Sequence, residues 1–308
     1  MILSPVSTAA LIGAGLDPGA IEHLVRDAVA EDLDGGVDVT SVATVPADQR
    51  SVLDLVVRTA GVLAGIPVAQ AVMDVVGQGR IVTVASASDG QRVTAGTTVL
   101  SSTGPTIDLL TAERTALNLL CHLSGIATLT ARWVEAVSGT SAAIRDTRKT
   151  TPGLRAIEKY AVRCGGGMNH RMSLSDAALV KDNHVLAAGG VAQAFAAVRS
   201  RWPGLAVEVE VDSLEQLEQV LEAGADLVLL DNFDVATTQA AVRLTKGRAR
   251  LESSGGLSLD VANAYARTGV DFLAVGALTH SAPVLDIGAD LRDADGDGRA
   301  DAEPTREA

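Results

Sequence analysis

Residues 205–231 read LAVEVEVDSLEQLEQVLEAGADLVLLD. Two apolar runs, Leu205–Val211 and Asp226–Asp231, flank a stretch with the 3.6-residue spacing of an amphipathic helix. A strand, a helix and a second strand this close together form one crossover between parallel strands, because antiparallel neighbours need only a short turn. The rhythm extends to both sides. Apolar runs at AAIRD (142–146), AALVKD (177–182), RARLES (248–253) and DFLAVG (271–276) alternate with helical stretches at 189–202, 234–247 and 258–269. No Gly-rich dinucleotide turn follows the first run. The pattern predicts an α/β barrel of about six parallel strands, an incomplete TIM-like ring, rather than an open doubly wound sheet.

In such a barrel the C-terminal strand ends share one face, and that face carries the chemistry. Here those ends are Arg148-Lys149, Lys181-Asp182, Glu210, Asp231, Ser253-Ser254 and Gly276-Ala277. Alternation in AVEVEVDS sets Val207, Val209 and Val211 against Glu208, Glu210 and Asp212. Carboxylates aimed into a lumen require cations to meet them, whereas an exposed edge strand would not.

Ahead of the barrel, residues 1–112 read as a mixed α+β domain. A helix from Ala20 to Leu33 stops at DLDGG, and β-rich runs follow at SVLDLVVR, GRIVTVAS and TTVLSST. A helical pattern from Thr106 to about Val137 has Leu109, Leu110, Leu117, Leu120 and Leu123 as its apolar stripe. Residues 113–140 bridge the domains, 141–288 form the barrel domain, and 289–308 are expected to be a disordered acidic tail.

Of the 308 residues 47% are apolar and only 2% aromatic, and the formal net charge is −13. Few rings for stacking bases and a pI of 4.8 argue against nucleic acid as a partner. No uninterrupted apolar window approaches ~18 residues, so no membrane span is expected. MILSPVSTAALIGAG lacks the cationic start of a secretory signal. Two cysteines, Cys121 and Cys164, fit a reducing cytoplasm rather than a disulfide framework.

The charge is uneven. Residues 290–308 hold seven acids against three arginines, whereas 141–184 holds eight bases against four acids. A basic island in an acidic chain points to an anionic ligand. At its centre, RDTRKTTPG (145–153) gathers Arg145, Arg148 and Lys149. Arg155, Lys159 and Arg163 recur every four residues with Glu158 among them, the spacing of a solvated helix face. SSGG at 253–256 opens a helix after a strand, and Gly276-Ala277 closes the next strand. Such glycine loops present backbone N–H groups to a phosphate, although an ordinary tight turn reads the same. NHR at 169–171 adds His170 and Arg171, and several guanidinium and ammonium groups together suit a ligand with more than one carboxylate or phosphate.

DTRKTTPGLRAIEKYAVRCGGGMNHR, followed by DAALVKDNH, resembles the signature of the quinolinate phosphoribosyltransferase family. ERTALNLLCHLSGIAT, EDLDGGVDVTS and LESSGGLSL match further blocks, so the resemblance spans about 20–290. It implies transfer of a phosphoribosyl group from phosphoribosyl diphosphate (PRPP) to quinolinate, with decarboxylation, in NAD biosynthesis. It places Arg148, His170 and Arg171 around the quinolinate carboxylates, with Thr147 among the binding residues. It implies that Lys149 and Lys181 are shared between substrate and diphosphate. Glu210 and Asp231 are expected to face the ribose and Mg²⁺-bound PRPP, and these four to be catalytic. Ser254, Gly255, Gly256, Val275, Gly276 and Ala277 are expected to surround the 5′-phosphate, with His280 nearby. Arg114 is implied to reach the neighbouring subunit's site, making a homodimer the minimum assembly. Ser173, Ser175 and an aspartate in EDLDGG stand where the family pattern has glycine.

Other readings stay open at this level. Lys181 as a Schiff-base lysine in an aldolase-like barrel is one, and a non-catalytic anion carrier is another. Nicotinate in place of quinolinate is a third. DADGDGRAD (293–301) mimics a calcium loop but has Pro304 at the twelfth position, so calcium binding is not expected.

Overall fold

The computed structural model describes residues 2–294. It opens with helices α1 (Pro5–Gly13), α2 (Pro18–Leu33) and α3 (Val39–Thr44). Then come β1 (Arg50–Val57), β2 (Gly61–Val62), α4 (Ile66–Gly77), β3 (Val82–Ala85), β4 (Arg92–Val93) and β5 (Thr98–Pro105). Helix α5 (Thr106–Ala136) leads into β6 (Ala143–Arg145), α6 (Arg155–Cys164), β7 (Ala178–Val180), α7 (Asp182–Ala188), α8 (Val191–Arg201) and β8 (Val207–Val211). The chain continues through α9 (Leu214–Glu222), β9 (Leu227–Asp231), α10 (Val235–Thr245), β10 (Arg250–Ser254), α11 (Leu259–Ala266), β11 (Phe272–Ala274), α12 (Ala277–His280) and β12 (Ile287–Asp293).

Local chemistry sets the helix starts. Asp17 accepts the N–H of Ala20 at 2.7 Å, Ser213 that of Gln216 at 3.3 Å and Asp234 that of Thr237 at 2.7 Å, each relieving an unpaired donor. At the end of α2, Asp34 has φ of 44°, the left-handed region that glycine enters without strain. This is the aspartate that departs from the family's glycine in EDLDGG.

Six parallel strands make one sheet in the order β6-β11-β10-β9-β8-β7. Its edges are β6 and β7, and among the described residues no ladder joins them. A single bridge pairs Arg145 with Met168 instead. The ring is therefore open at the strand level, because the 146–177 connection fills the gap with loop and helix rather than strand. The N-terminal sheet is antiparallel, in the order β12-β1-β5-β3.

Strand β12 corrects the expectation of a disordered tail from residue 289. Seven residues of it pair with β1, from Ser51↔Asp293 to Val57↔Ile287, so the chain returns to the N-terminal sheet after completing the parallel one. Two ion pairs accompany the pairing: Asp290 meets Arg58 at 2.5 Å, and Arg292 Nε donates to Asp54 at 2.8 Å. Charge count hid a short alternation of Ile287, Ala289 and Leu291. The calcium-like stretch lies outside the described residues beyond Ala294.

The 31-residue α5 is the axis between the sheets. Leu109, Leu120 and Leu123 on it are fully buried, in one apolar core continuous with both sheets. Opposite α5, Tyr160 of α6 donates to Asp89 at 2.6 Å, and Asp89 accepts the N–H groups of Gly65 and Ile66. Among the described residues no helix is long and apolar enough to cross a membrane.

Candidate active site

The C-terminal strand ends enclose a cavity of about 700 Å³. Thr147, Arg148, Lys149, His170, Arg171, Lys181, Glu210, Asp231, Ser254, Gly255, Gly256, Val275, Gly276, Ala277 and His280 all line it. Arg114 is the expected site residue that this cavity does not include, being exposed on α5. Leu179, Leu229, Asn232, Glu252, Leu257 and Ala274 complete the wall.

On the rim Arg148, Lys149 and Arg171 form no ion pair among the described residues, whereas Lys181 does. The Nε of Arg148 is buried with no hydrogen-bond partner. Among the described residues the Arg171 side chain donates only to the carbonyl of Ala177, at 2.9 Å. Burial, and next the charge of Arg148, lower its pKa from the usual guanidinium value. Two guanidinium groups that disfavour each other's charge gain from an anion placed between them. Lys181 meets Glu210 at 2.5 Å, with its side chain 46% exposed. A half-exposed, carboxylate-paired lysine is not the desolvated amine that Schiff-base chemistry requires, which removes the support for the aldolase-like reading.

The glycine loops are sterically constrained. Gly255 has φ of 93°, and a Cβ there would lie 2.2 Å from Asn232 Oδ1. Asn232 is itself left-handed, and its N–H binds the Ser254 carbonyl at 2.9 Å, tying the ends of β9 and β10 together. A Cβ on Gly276 would stand 2.9 Å from the Lys149 side chain.

Beneath the rim the charges are paired internally. Lys159 is fully buried, not part of a solvated face: its Nζ donates to Asp146 at 2.5 Å and to the carbonyls of His170 and Arg171 at 2.8 and 3.1 Å. Asp146 also accepts the N–H of His170 at 2.8 Å and the Asn169 amide at 2.6 Å. Burial raises Asp146 and lowers Lys159, so desolvation opposes both charges, and their mutual attraction and shared hydrogen bonds offset part of that cost. This buried knot fixes the backbone of His170 and Arg171. Glu158, also fully buried, accepts from the Thr151 N–H at 3.0 Å and pairs with His122 at 2.9 Å, steadying the Arg148-Lys149 loop from α5.

Arg145, counted with the anion-binding island in the sequence, belongs to the floor: it pairs with Glu252 of β10. Glu252 lines the cavity and Glu208 is buried beside it; neither is singled out as a site residue by the sequence, although the alternation in β8 aims Glu208 inward. Burial, then the charge of Glu208, push Glu252 up to about 8.

The cavity at the strand ends thus combines phosphate-type glycine loops with three cations, Arg148, Lys149 and Arg171, that form no ion pair among the described residues. Residues 38–124 match the family model "Quinolinate phosphoribosyl transferase, N-terminal domain", and residues 126–290 match its C-terminal domain. The chain belongs to the quinolinate phosphoribosyl transferase family. It is 55% identical over 276 residues to the nicotinate-nucleotide pyrophosphorylase (carboxylating) of Mycobacterium leprae, covering 88% of this chain and 97% of that one. Identity to the probable enzyme of that name from Bacillus subtilis is 36% over 272 residues, covering 88% of this chain and 93% of that one. The nicotinate-nucleotide pyrophosphorylase from Francisella tularensis superposes with a TM-score of 0.86 at 38% identity, over 90% of this chain and 98% of that one. The two family models meet inside α5.

Proposed function

We propose that this member of the family transfers the phosphoribosyl group of PRPP to quinolinate, releasing carbon dioxide and pyrophosphate and leaving nicotinate mononucleotide. The observation that carries the reading is that three cavity cations, Arg148 foremost and with Lys149 and Arg171, form no ion pair among the described residues in a chain of net charge −13. Two adjacent carboxylates suit the pair Arg148 and Arg171. The backbone at Ser254–Gly256 and Gly276-Ala277 suits the 5′-phosphate, and Lys149 suits the diphosphate.

In the reaction the pyridine nitrogen forms a bond to the anomeric carbon as the bond to diphosphate breaks. No side chain need become covalently attached. The residues hold two mutually repelling anions at bonding distance, and Glu210 and Asp231 oppose the positive charge that develops on the sugar. Once the ring nitrogen is quaternary, carbon dioxide leaves the adjacent carbon, whose electron pair then takes a proton. Glu210 and Asp231, hard oxygen donors at neighbouring strand ends, would also hold Mg²⁺, with Asp231 the freer because Glu210 already meets Lys181. Bound there with PRPP, Mg²⁺ would offset the charge of the leaving group.

Arg114 is assigned to the site of a second copy in a homodimer, because it is exposed on α5 and outside its own chain's cavity. Mixing Arg114→Ala with Arg148→Ala protein tests this: one intact site per mixed dimer restores activity that neither variant has alone, and no recovery overturns the assignment. A cytoplasmic location is supported by the free thiols of Cys121 and Cys164. The reaction itself is tested by incubation with PRPP, Mg²⁺ and either quinolinate or nicotinate. Mononucleotide and carbon dioxide from quinolinate alone is the expected result, and product from nicotinate alone overturns it.

A further inference from the structure

The floor of the cavity carries a charge imbalance. Glu252 on β10 is fully buried, and Glu208 on β8 nearly so. One cation meets both: Arg145 of β6 pairs with Glu252 Oε2 and lies 4.0 Å from Glu208 Oε1, with the Phe272 ring 4.6 Å from its guanidinium. His170 adds no charge. Its Nδ1 accepts the N–H of Arg171 at 2.7 Å, and a nitrogen that accepts carries no proton, so the ring is neutral with its proton on Nε2. That Nε2 stands 2.7 Å from Glu208 Oε2 and 3.6 Å from Glu252 Oε1. The 2.7 Å approach is not aligned as a hydrogen bond, and both Glu208 oxygens and Glu252 Oε1 are buried without partners. Of the other charged groups that face this floor, Asp146 is neutralised by Lys159, and Arg171 approaches Glu208 from the loop after His170. Two carboxylates therefore share one close guanidinium out of reach of water, and an uncompensated charge there costs several kcal/mol.

A metal ion would supply the missing charge, since the three ligand atoms of His170, Glu208 and Glu252 lie within 4.8 Å of one another. The His170 tautomer argues against it, because a protonated Nε2 has no lone pair to offer, and Arg145 already occupies the second oxygen of Glu252. A proton meets both objections. We propose that Glu252 is protonated on Oε1 in the resting protein and acts as a positioning residue, donating toward Glu208 and keeping the floor neutral beneath a doubly charged acid. Glu208 then gains one of the donors it lacks, Glu252 Oε1–H. The direction of the Glu252 shift agrees with this arrangement. The proposal rests on the reading that the cavity takes an aromatic 1,2-diacid.

Phthalate, such a diacid without a ring nitrogen, separates binding from turnover. Measured by calorimetry on the full chain, its Kd rises about tenfold between pH 7 and pH 9 as Glu252 loses its proton, and in Glu252→Gln the ratio falls below about twofold. The rim lysines are common to both proteins, so a ratio that persists in the variant belongs to them and overturns the proposal. A wild-type ratio near one also overturns it. Difference infrared spectra give a direct readout that needs no ligand: a protonated-carboxyl band at pH 7 that is lost at pH 9, and is missing from Glu252→Gln where that variant folds. Its absence from the wild type ends the proposal. The reading of the enzyme fails differently, as no mononucleotide from quinolinate at any pH.

Discussion

Lys159 and Arg148 lie eleven positions apart in the same basic block, and both contribute to the same cavity, yet they do opposite work. Lys159, below the floor, has Asp146 and two carbonyls and no exposure, whereas Arg148, on the rim, has a buried nitrogen and no protein partner. The charge of Lys159 is neutralised internally and holds geometry. That of Arg148 is left unneutralised and holds ligand. A formal charge in a sequence thus says little about role until its partners are counted, because a buried charge with partners is architecture and one without them is a binding site.

The contrast is broken most severely from below. Lys159→Ala strands Asp146 and frees the His170 and Arg171 carbonyls, and is expected to cost about 3–5 kcal/mol of stability. Thermal melting checks it: an unchanged Tm would mean that the floor is not structural. On the rim, Arg148→Ala should leave Tm nearly unmoved, since no protein partner is stranded. It should lower kcat/KM for quinolinate by about 10²–10³-fold, roughly 3–4 kcal/mol of lost anion binding. A variant that unfolds instead would move Arg148 into the architecture.

Titration sharpens the same comparison. The folded pKa of Glu252, about 8, exceeds its ordinary value of 4.5, so the folded state binds more protons than the unfolded one across that window. Stability then falls as pH rises from about 4.5 to about 8, by at most about 1.4 kcal/mol per unit. Asp146, also raised by burial, acts in the same direction. Asp38 and Asp176 have pKa values lowered by hydrogen bonds, so the stability they add is lost only below their ordinary range. Denaturant unfolding across pH 5–8 should therefore show a decline that Glu252→Gln flattens. An equal slope in both proteins would remove Glu252 as its source.

Much of the rim was legible because a parallel sheet puts all C-terminal strand ends on one face: Lys181, Glu210, Asp231 and Ser254 could be picked from the ends of apolar runs. The floor was less so. Lys159 recurs at helical spacing among charges, and the aspartate that buries it stands thirteen residues away, beyond any local pattern. Glu252 had a usable signal, since it precedes Ser254 by two positions and so shares its side of β10, but one glutamate among arginines in RARLES reads as surface. Arg145 was drawn into the anion-binding island by proximity to Arg148, although it lies within β6 rather than beyond its end. The return of β12 to β1 was masked by charges whose partners lie more than two hundred residues earlier, Arg58 for Asp290 and Asp54 for Arg292.

The finest test compares two adjacent glycines of the phosphate-type loop. Both have left-handed backbone, with φ of 93° at Gly255 and 61° at Gly256, but only at Gly255 does an added Cβ meet an obstacle, Asn232 Oδ1 at 2.2 Å. At Gly256 nothing lies within 4 Å. Gly256→Ala should therefore cost only the backbone strain, about 1 kcal/mol. Gly255→Ala must also displace Asn232 and with it the tie to the Ser254 carbonyl, for about 1–3 kcal/mol in all and a raised KM for PRPP. Denaturant midpoints and PRPP saturation curves separate the two. Equal effects would mean that Asn232 moves freely, and that the loop's shape is not held from the end of β9.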